Sequence, residues 1–320
     1  MKIHNIIFLA LTTVFIFGNL GCAHNTAHEH TITDYKQECD RLMSKSCNKL
    51  GDIYFKGVDA ERNLNLAKKY HEKACDLSNS DSCNTLGEWY LFPQPYHIDG
   101  LKHDPAKAKE LFEIGCKNMN GKSCANLGRI YSEGLWTEKD VDTGDMYLGK
   151  ACDLYKDGYA CEKRAHMFSS GLNRPVDKDM ARKYERAAVK NYKAACDKDD
   201  GAECGQLGYF YLYKKNYEEA YSYAKRACIL NDKYGCNLAG LIDKIEHYDY
   251  SIAISYYDKA CSLYYEYACA DLGYMYENGK GIQKDKRKAK AYYKLACDMV
   301  KEGWNPSHCE KVEELTDQGY

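Results

Sequence analysis

Sixteen of the seventeen cysteines in this 320-residue chain fall into eight consecutive pairs: Cys39/Cys47, Cys75/Cys83, Cys116/Cys124, Cys152/Cys161, Cys196/Cys204, Cys228/Cys236, Cys261/Cys269 and Cys297/Cys309. Six pairs are 8 positions apart, one is 9 apart and the last 12, and the first members recur every 32 to 44 residues. A fixed spacing inside a near-fixed period describes one structural unit, repeated, with a crosslink at each junction. At this length a string of small units is a more natural solution than one large core.

The leftover thiol, Cys22, follows an apolar run from Ile6 to Phe17. That run is too short to span a bilayer, which takes about 20 residues, and with Lys2 ahead of it reads as a bacterial export signal over residues 1–21. Asn19-Leu20-Gly21-Cys22 partly matches a lipobox, with Asn19 where an aliphatic residue is usual, and would make Cys22 a lipidation site. Cleavage after Ala23 is the alternative, and either outcome leaves sixteen thiols. Residues 22–32 form a polar tether that suits a lipoprotein. Export to the periplasm or beyond agrees with disulfide use. Zinc needs ligand pairs two to four residues apart, and no C-x2-C spacing exists here.

Two helical stripes flank the cysteines. After the second member of a pair come Cys47-Leu50-Gly51-Tyr54, Cys83-Leu86-Gly87-Tyr90, Cys124-Leu127-Gly128-Tyr131, Cys204-Leu207-Gly208-Tyr211 and Cys269-Leu272-Gly273-Tyr276, all at i, i+3, i+4, i+7. This is one face of a helix, A. Its mid-helix glycine, unfavourable by about 1 kcal/mol, predicts close backbone approach of a neighbouring helix. Before the first member come Ala67-Tyr70-Ala74-Cys75 and its counterparts ending at Cys116, Cys228, Cys261 and Cys297, which define a second helix, B. Each unit is an αα-hairpin. The A–B turn is clearest in Gly279-Lys280-Gly281-Ile282-Gln283-Lys284-Asp285, where glycine ends A and Asp285 caps B. In Asp104-Pro105 proline takes the first helical position.

The G-x-G-[VI]-x-x-D-x-x-K-A turn and the C-x-x-L-G-x-x-Y helix resemble Sel1-like repeats, relatives of the tetratricopeptide repeat. The Lys73-Ala74-Cys75 to Cys83 and Lys259-Ala260-Cys261 to Cys269 junctions are similar to those of the Helicobacter cysteine-rich protein family. The resemblance covers the whole chain after the leader. Repeat four departs from it with Arg164, Ala165 and Phe168 in the Leu-Gly-Tyr places, and repeat six with Ala239 and Asp243. It implies an all-α fold, a right-handed α/α solenoid of about seven disulfide-linked hairpins. The expected limits are a capping helix over 33–45, repeats over 46–81, 82–122, 123–159, 160–202, 203–234, 235–267 and 268–307, and a capping helix over 308–320. Seven extra residues, Ala187 to Lys193, lengthen helix B of repeat four, because seven residues make about two turns and keep the stripe in register. In repeat two, Pro93, Pro95 and Gly100 mark a loop insert.

Pairing within a repeat, Cys47 with Cys75, orphans Cys39 and Cys309. Pairing across each B-to-A turn uses all sixteen cysteines, so Cys39–Cys47 and its seven equivalents are the expected bonds. Closing a nine-residue loop is worth roughly 2.6 kcal/mol in the chain-entropy picture.

Some members of the resembled family are classed as penicillin-binding proteins or β-lactamases. Ser46-Cys47-Asn48-Lys49 and Ser222-Tyr223-Ala224-Lys225 match S-x-x-K, whereas Ser80-Asp81-Ser82 half matches S-D-N and K-T-G is absent. No nucleophile–base set emerges, and a lysine-rich chain throws up two such matches by chance. His24, His28 and His30 suit a polar linker, and His97 and His103 a turn, better than a metal site. The net charge of −2 gives no footprint for nucleic acid. No cofactor or metal is expected.

Thirty tyrosines remain, eighteen of them between Tyr209 and Tyr293, and several fall off the core stripes. One row of helix A, five after the cysteine, reads Asp52, Glu88, Arg129, His166, Tyr209, Leu241, Tyr274; one after the cysteine come Asn48, Asn84 and Asn237. This polar and aromatic face suits binding of a protein, a peptide or a cell-wall fragment, and an ordinary solvated face is the plainer reading. The expected function is an exported scaffold, monomeric, meeting the membrane only through a lipid on Cys22. The alternative is the β-lactamase activity that the resemblance implies.

Overall fold

The computed structural model describes residues 30–92, 101–172, 175–247, 249–299 and 306–320. The expected leader, Cys22 and its tether as far as residue 29 lie outside the described residues, as do His97 and the proline-marked insert of repeat two. Helix α1 (Ile32–Asp40) opens the array. Seven antiparallel hairpins follow: α2 (Ser44–Lys56) with α3 (Leu64–Asp76), α4 (Ser80–Leu91) with α5 (Pro105–Lys117), α6 (Gly121–Glu133) with α7 (Val141–Gly149), α8 (Gly158–Ser170) with α9 (Lys178–Cys196), α10 (Gly201–Tyr213) with α11 (Tyr217–Ile229), α12 (Lys233–Ile242) with α13 (Tyr250–Ser262), and α14 (Glu266–Asn278) with α15 (Lys286–Asp298). Helix α16 (Ser307–Asp317) closes it, and no strand occurs among the described residues. The even-numbered A helices begin about two residues before the limits drawn at Ser46 and Ser82, because their N-caps stand four residues after the preceding cysteine.

Six of the eight junctions share one turn. The first cysteine sits near the end of a B helix, and three residues later the chain turns left-handed at Leu42, Ser78, Met119, Asp199, Asn231 and Tyr264. The next N–H reaches back to the B helix, as Asn79 N to Ala74 O (2.9 Å) and Asn120 N to Gly115 O (3.0 Å), the Schellman pattern. That turn carries the second cysteine onto the first. Disulfides join Cys39–Cys47, Cys75–Cys83, Cys116–Cys124, Cys152–Cys161, Cys196–Cys204, Cys228–Cys236, Cys261–Cys269 and Cys297–Cys309.

Two of these junctions differ from the rest for local reasons. Cys228 and Cys236 are the closest pair, 4.3 Å apart at Cα, where the other seven span 4.7 to 5.1 Å. Gly235 stands just before Cys236, and a Cβ there would lie 2.2 Å from the Ala227 Cβ, so its absence lets the two helices approach. Cys152 and Cys161 are nine apart. Their extra residue is absorbed where Lys150–Leu154 winds as a π turn, and the left-handed residue shifts to Lys156.

In the six hairpins that carry it, the A-helix glycine makes room for a side chain more than for backbone. A Cβ on Gly51 would lie 2.7 Å from the His71 ring, and one on Gly87 2.6 Å from Phe112. These rings stand four before the B-helix cysteine. Where that position is alanine, Ala224, a Cβ on Gly208 would meet the Leu238 side chain of the next repeat at 2.9 Å and the Ala220 carbonyl at 3.3 Å. Farther along, an aromatic pair stacks in five hairpins: Tyr54–Tyr70, Tyr131–Tyr147, Phe168–Tyr184, Tyr211–Tyr223 and Tyr276–Tyr292, all within 11° of parallel. In all seven hairpins the N-cap N–H of B donates to the carbonyl seven after the A-helix cysteine, at 2.9–3.0 Å, whatever the turn length. Helix α9 is one uninterrupted helix of 19 residues.

A helices touch from one repeat to the next, α4 with α6, α6 with α8 and α10 with α12, and so form the inner layer of a solenoid. The winding brings distant repeats together. The Arg62 guanidinium of hairpin one lies 4.4 Å from the centre of the Tyr264 ring at the α13–α14 junction. Lys122 of α6 reaches Asp200 and Glu203 at the start of α10, each at 3.3 Å.

Candidate functional site: the inner face

The residue before the A-helix cysteine is buried in every repeat but the fifth, where Glu203 is partly exposed, and in the first repeats it links neighbours. Ser82 Oγ donates to Asn48 Oδ1 at 2.6 Å, and Ser123 Oγ to Asn84 Oδ1 at 3.2 Å. Asn84 is buried and also donates to Glu88 Oε1 at 3.0 Å. Asn48 and Asn84 therefore serve the inter-repeat ladder before they can serve a ligand. The ladder stops where its hydroxyl is lost. Asn237 faces Ala268 instead of a serine, and its Oδ1 is buried with no hydrogen-bond partner.

Five positions past the cysteine, Glu88, His166 and Tyr274 are open to solvent, whereas Asp52, Arg129 and Tyr209 are half-buried. Glu88 is reached by water but recessed in the groove. Dehydration holds its carboxyl above the ordinary range, against the opposing pull of Asn84, Lys122 and Arg129. The Arg129 Nε is buried without a partner. Dehydration lowers the Lys122 ammonium, but the carboxylates of Glu203 and Asp200 outweigh it and hold it above the usual lysine range.

Two histidines escape sequence reasoning. His71 fills the slot that Phe112, Tyr257 and Tyr293 fill in other repeats, 1% exposed, edge-on to Trp89. Ser82 gives its proton to Asn48, so His71 Nδ1–H donates to Ser82 Oγ (3.1 Å) and Nε2 carries the lone pair. That Nε2 is buried and unpartnered, 3.8 Å from Asp52 Oδ1. Burial lowers the imidazole to about 4 and raises the Asp52 carboxyl. Ser82 is fully buried, so this Asp–His–Ser row is no nucleophilic triad. His308, one before Cys309 in α16, is likewise buried with Nε2 unpartnered. For His71 the available signal was a titratable residue on an otherwise aromatic and aliphatic row; His308 shares its row with Glu203 and carried no such signal.

The tyrosine-rich end carries the largest aromatic display. Tyr234 meets Tyr265 edge-on at 5.3 Å, Tyr265 meets Tyr267 at 5.6 Å, and Lys233 lies over the Tyr234 ring. Between α14 and α16 is a hollow of about 460 Å³ lined by Tyr267, Asp271, Tyr274, Tyr293, His308 and Lys311, among others. A second, of about 660 Å³, lies toward α12 and shares Asp271 and Tyr274.

Ser46 is buried and donates to Glu38 Oε2 at 2.5 Å, while Ser222 is exposed midway along α11. Arg164, in a leucine place, is satisfied by Asp145 Oδ1 and Asp153 Oδ2, each at 2.9 Å, and by the Tyr184 hydroxyl, and it lies over the Tyr184 ring. Among the described residues no group of three or more His, Cys, Asp or Glu could hold a metal ion, and no helix is long and apolar enough to cross a membrane.

Repeated disulfide-linked hairpins with a polar and aromatic inner layer define a helical-repeat scaffold. The Sel1 repeat model matches residues 44–79, 80–118, 121–155, 158–200, 202–232, 235–265 and 266–300, and the chain belongs to the Sel1 repeat family. Among curated proteins it is similar to the cytochrome c oxidase assembly factor 7 homolog of Drosophila melanogaster, 26% identical over 218 residues, which are 64% of this chain and 78% of that one. The Xenopus tropicalis cytochrome c oxidase assembly factor 7 is 25% identical over 63% of this chain and 75% of its own. Among solved structures it is similar to a protective antigen of uropathogenic Escherichia coli strains displaying an SLR fold (TM-score 0.46, 19% identity, 90% of this chain and 63% of that one) and to a Sel1 repeat protein from Oxalobacter formigenes (0.47, 18%, 89% and 79%). Eight disulfides suit an oxidising compartment outside the cytosol.

Proposed function

We propose that this chain is an exported scaffold, tethered through a lipid on Cys22, that holds a peptide segment of a partner protein along its inner face. One observation carries the reading. On a face where most polar atoms are paired from repeat to repeat, Arg129 Nε, Asn237 Oδ1 and His308 Nε2 are buried without partners. Buried polar atoms are normally satisfied, and a bound main chain supplies the donors and acceptors these lack. The exposed Tyr267 and Tyr274 add apolar area of the kind interfaces favour. Crosslinks at every junction keep the groove preorganised, which reduces the ordering penalty of binding. The curated relatives are named as assembly factors, which accords with holding another polypeptide.

β-Lactam hydrolysis has less support. Ser46 is buried against Glu38, and Ser222 stands on a B helix away from the inner layer. The experiment is site-specific photocrosslinking in the native host, with the crosslinker at Glu88, His166 or Tyr274 on the inner face and at Arg186 or Lys225 on B helices. Discrete adducts from the inner positions alone are expected. Equal adducts from both sets, or nitrocefin turnover lost on Ser46→Ala or Ser222→Ala, would overturn the reading.

A further inference from the structure

The hollow between α14 and α16 has properties that narrow what it can receive. His308 is 6% exposed and its Nε2 has no hydrogen-bond partner. Burial lowers the ring's pKa below the ordinary histidine value, against the opposing pull of Glu266 and the Ala296 carbonyl, and in the neutral Nδ1–H tautomer Nε2 offers a lone pair. An unmet buried acceptor is unfavourable, so a ligand bringing an N–H or O–H relieves it. Tyr267 and Tyr274, each about half exposed at 49% and 48%, offer ring faces that attract cations. Asp271 lines the same hollow, with Glu266 and Glu277 nearby. The cations present are engaged: Lys311 with Glu277 and Glu314, Lys244 with Asp271 Oδ1 at 3.0 Å.

We propose that this hollow binds an arginine side chain of the partner peptide. A guanidinium is flat, permanently charged and carries five N–H groups in a fork. It can lie on a tyrosine face while donating to His308 Nε2 and to Asp271. A quaternary ammonium has no N–H for His308, and a lysine ammonium lacks the planar fork. The inference rests on the reading of the inner face as peptide-binding, and supplies its specificity.

The probe is the tripeptide acetyl-Gly-Arg-Gly-amide, titrated calorimetrically into the mature disulfide-bonded protein. Its citrulline and trimethyl-lysine counterparts are titrated in parallel. Saturable binding of the arginine peptide is expected, weakened about tenfold or more in the citrulline peptide and in Asp271→Asn, the change expected for one charge-assisted contact. Tyr274→Ala, at an exposed ring, should weaken it with an unchanged melting temperature. His308→Gln, which keeps an acceptor, should bind more tightly than His308→Phe. Equal affinity for citrulline, preference for trimethyl-lysine, or no saturable arginine binding at millimolar peptide would overturn the proposal. If inner-face adducts then persist in Asp271→Asn, the arginine specificity falls while the peptide-binding reading stands.

Discussion

Ser82 Oγ donates to Asn48 Oδ1 at 2.6 Å across the first repeat junction, a side-chain bond between residues 34 apart that lies just inside the disulfide Cys75–Cys83. The same relation recurs between Ser123 and Asn84. Covalent and hydrogen-bonded ties therefore run side by side along the early repeats. The consequences are measurable.

Ala268→Ser restores the missing rung at the sixth junction by placing a hydroxyl against the orphaned Asn237 Oδ1. A net gain of about 1 kcal/mol is expected, the usual worth of an intramolecular hydrogen bond that also satisfies a buried acceptor. Urea unfolding of the oxidised protein reads it, and the gain should vanish in Ala268→Ser combined with Asn237→Ala.

His71 makes stability depend on pH. Its folded value, about 4, lies below the ordinary 6.5, so the unfolded chain binds the proton more readily. Its contribution is complete above pH 6.5 and falls away as pH drops toward 4, by up to about 3 kcal/mol. His71→Phe puts into the slot the residue that Phe112 already is in hairpin two, and should flatten that part of the profile. Denaturant midpoints between pH 7.5 and 4 test this; an unchanged slope would refute the assignment.

Met119 is 72% exposed and left-handed at φ 65°. A side chain in that conformation is strained by about 1 kcal/mol, and glycine is not. Met119→Gly should raise stability by about 0.5 kcal/mol after the added freedom of the unfolded chain is deducted. Differential scanning calorimetry checks it, with Glu113→Gly at an exposed position inside α5 as a control that must destabilise.

The sequence rows locate the A helices, the glycine notch and the junctions because all of these are contacts within one or two repeats. Even there, the glycine's nearest neighbour is a side chain, such as His71 or Phe112, with backbone close behind it at Gly128, Gly208 and Gly240, because the stripe records the small residue and says nothing of what fills the space beside it. The cysteine spacing likewise treats Cys228 and Cys236 as one more eight-residue pair, and the closer approach there comes from Gly235 against Ala227. Of the inner-face rows, Asn48 and Asn84 turn out to be structural rungs, while Tyr274 stands open beside the hollow. Lys122, His71 and His308 were missed because what marks them out is supplied by other helices: Asp200 and Glu203 for Lys122, Trp89 and Ser82 for His71, and the hollow beside α14 for His308.

By itself the sequence determined a crosslinked array of helical hairpins, since periodicity, caps and cysteine spacing act over a few turns of chain. Only the tertiary structure decided which repeats face one another across the groove. The small rotation of each hairpin on the last accumulates along the array. That accumulated winding, absent from any single repeat, sets Arg62 against Tyr264, carries Lys122 to Asp200 and Glu203, and closes α16 over the hollow that His308 lines.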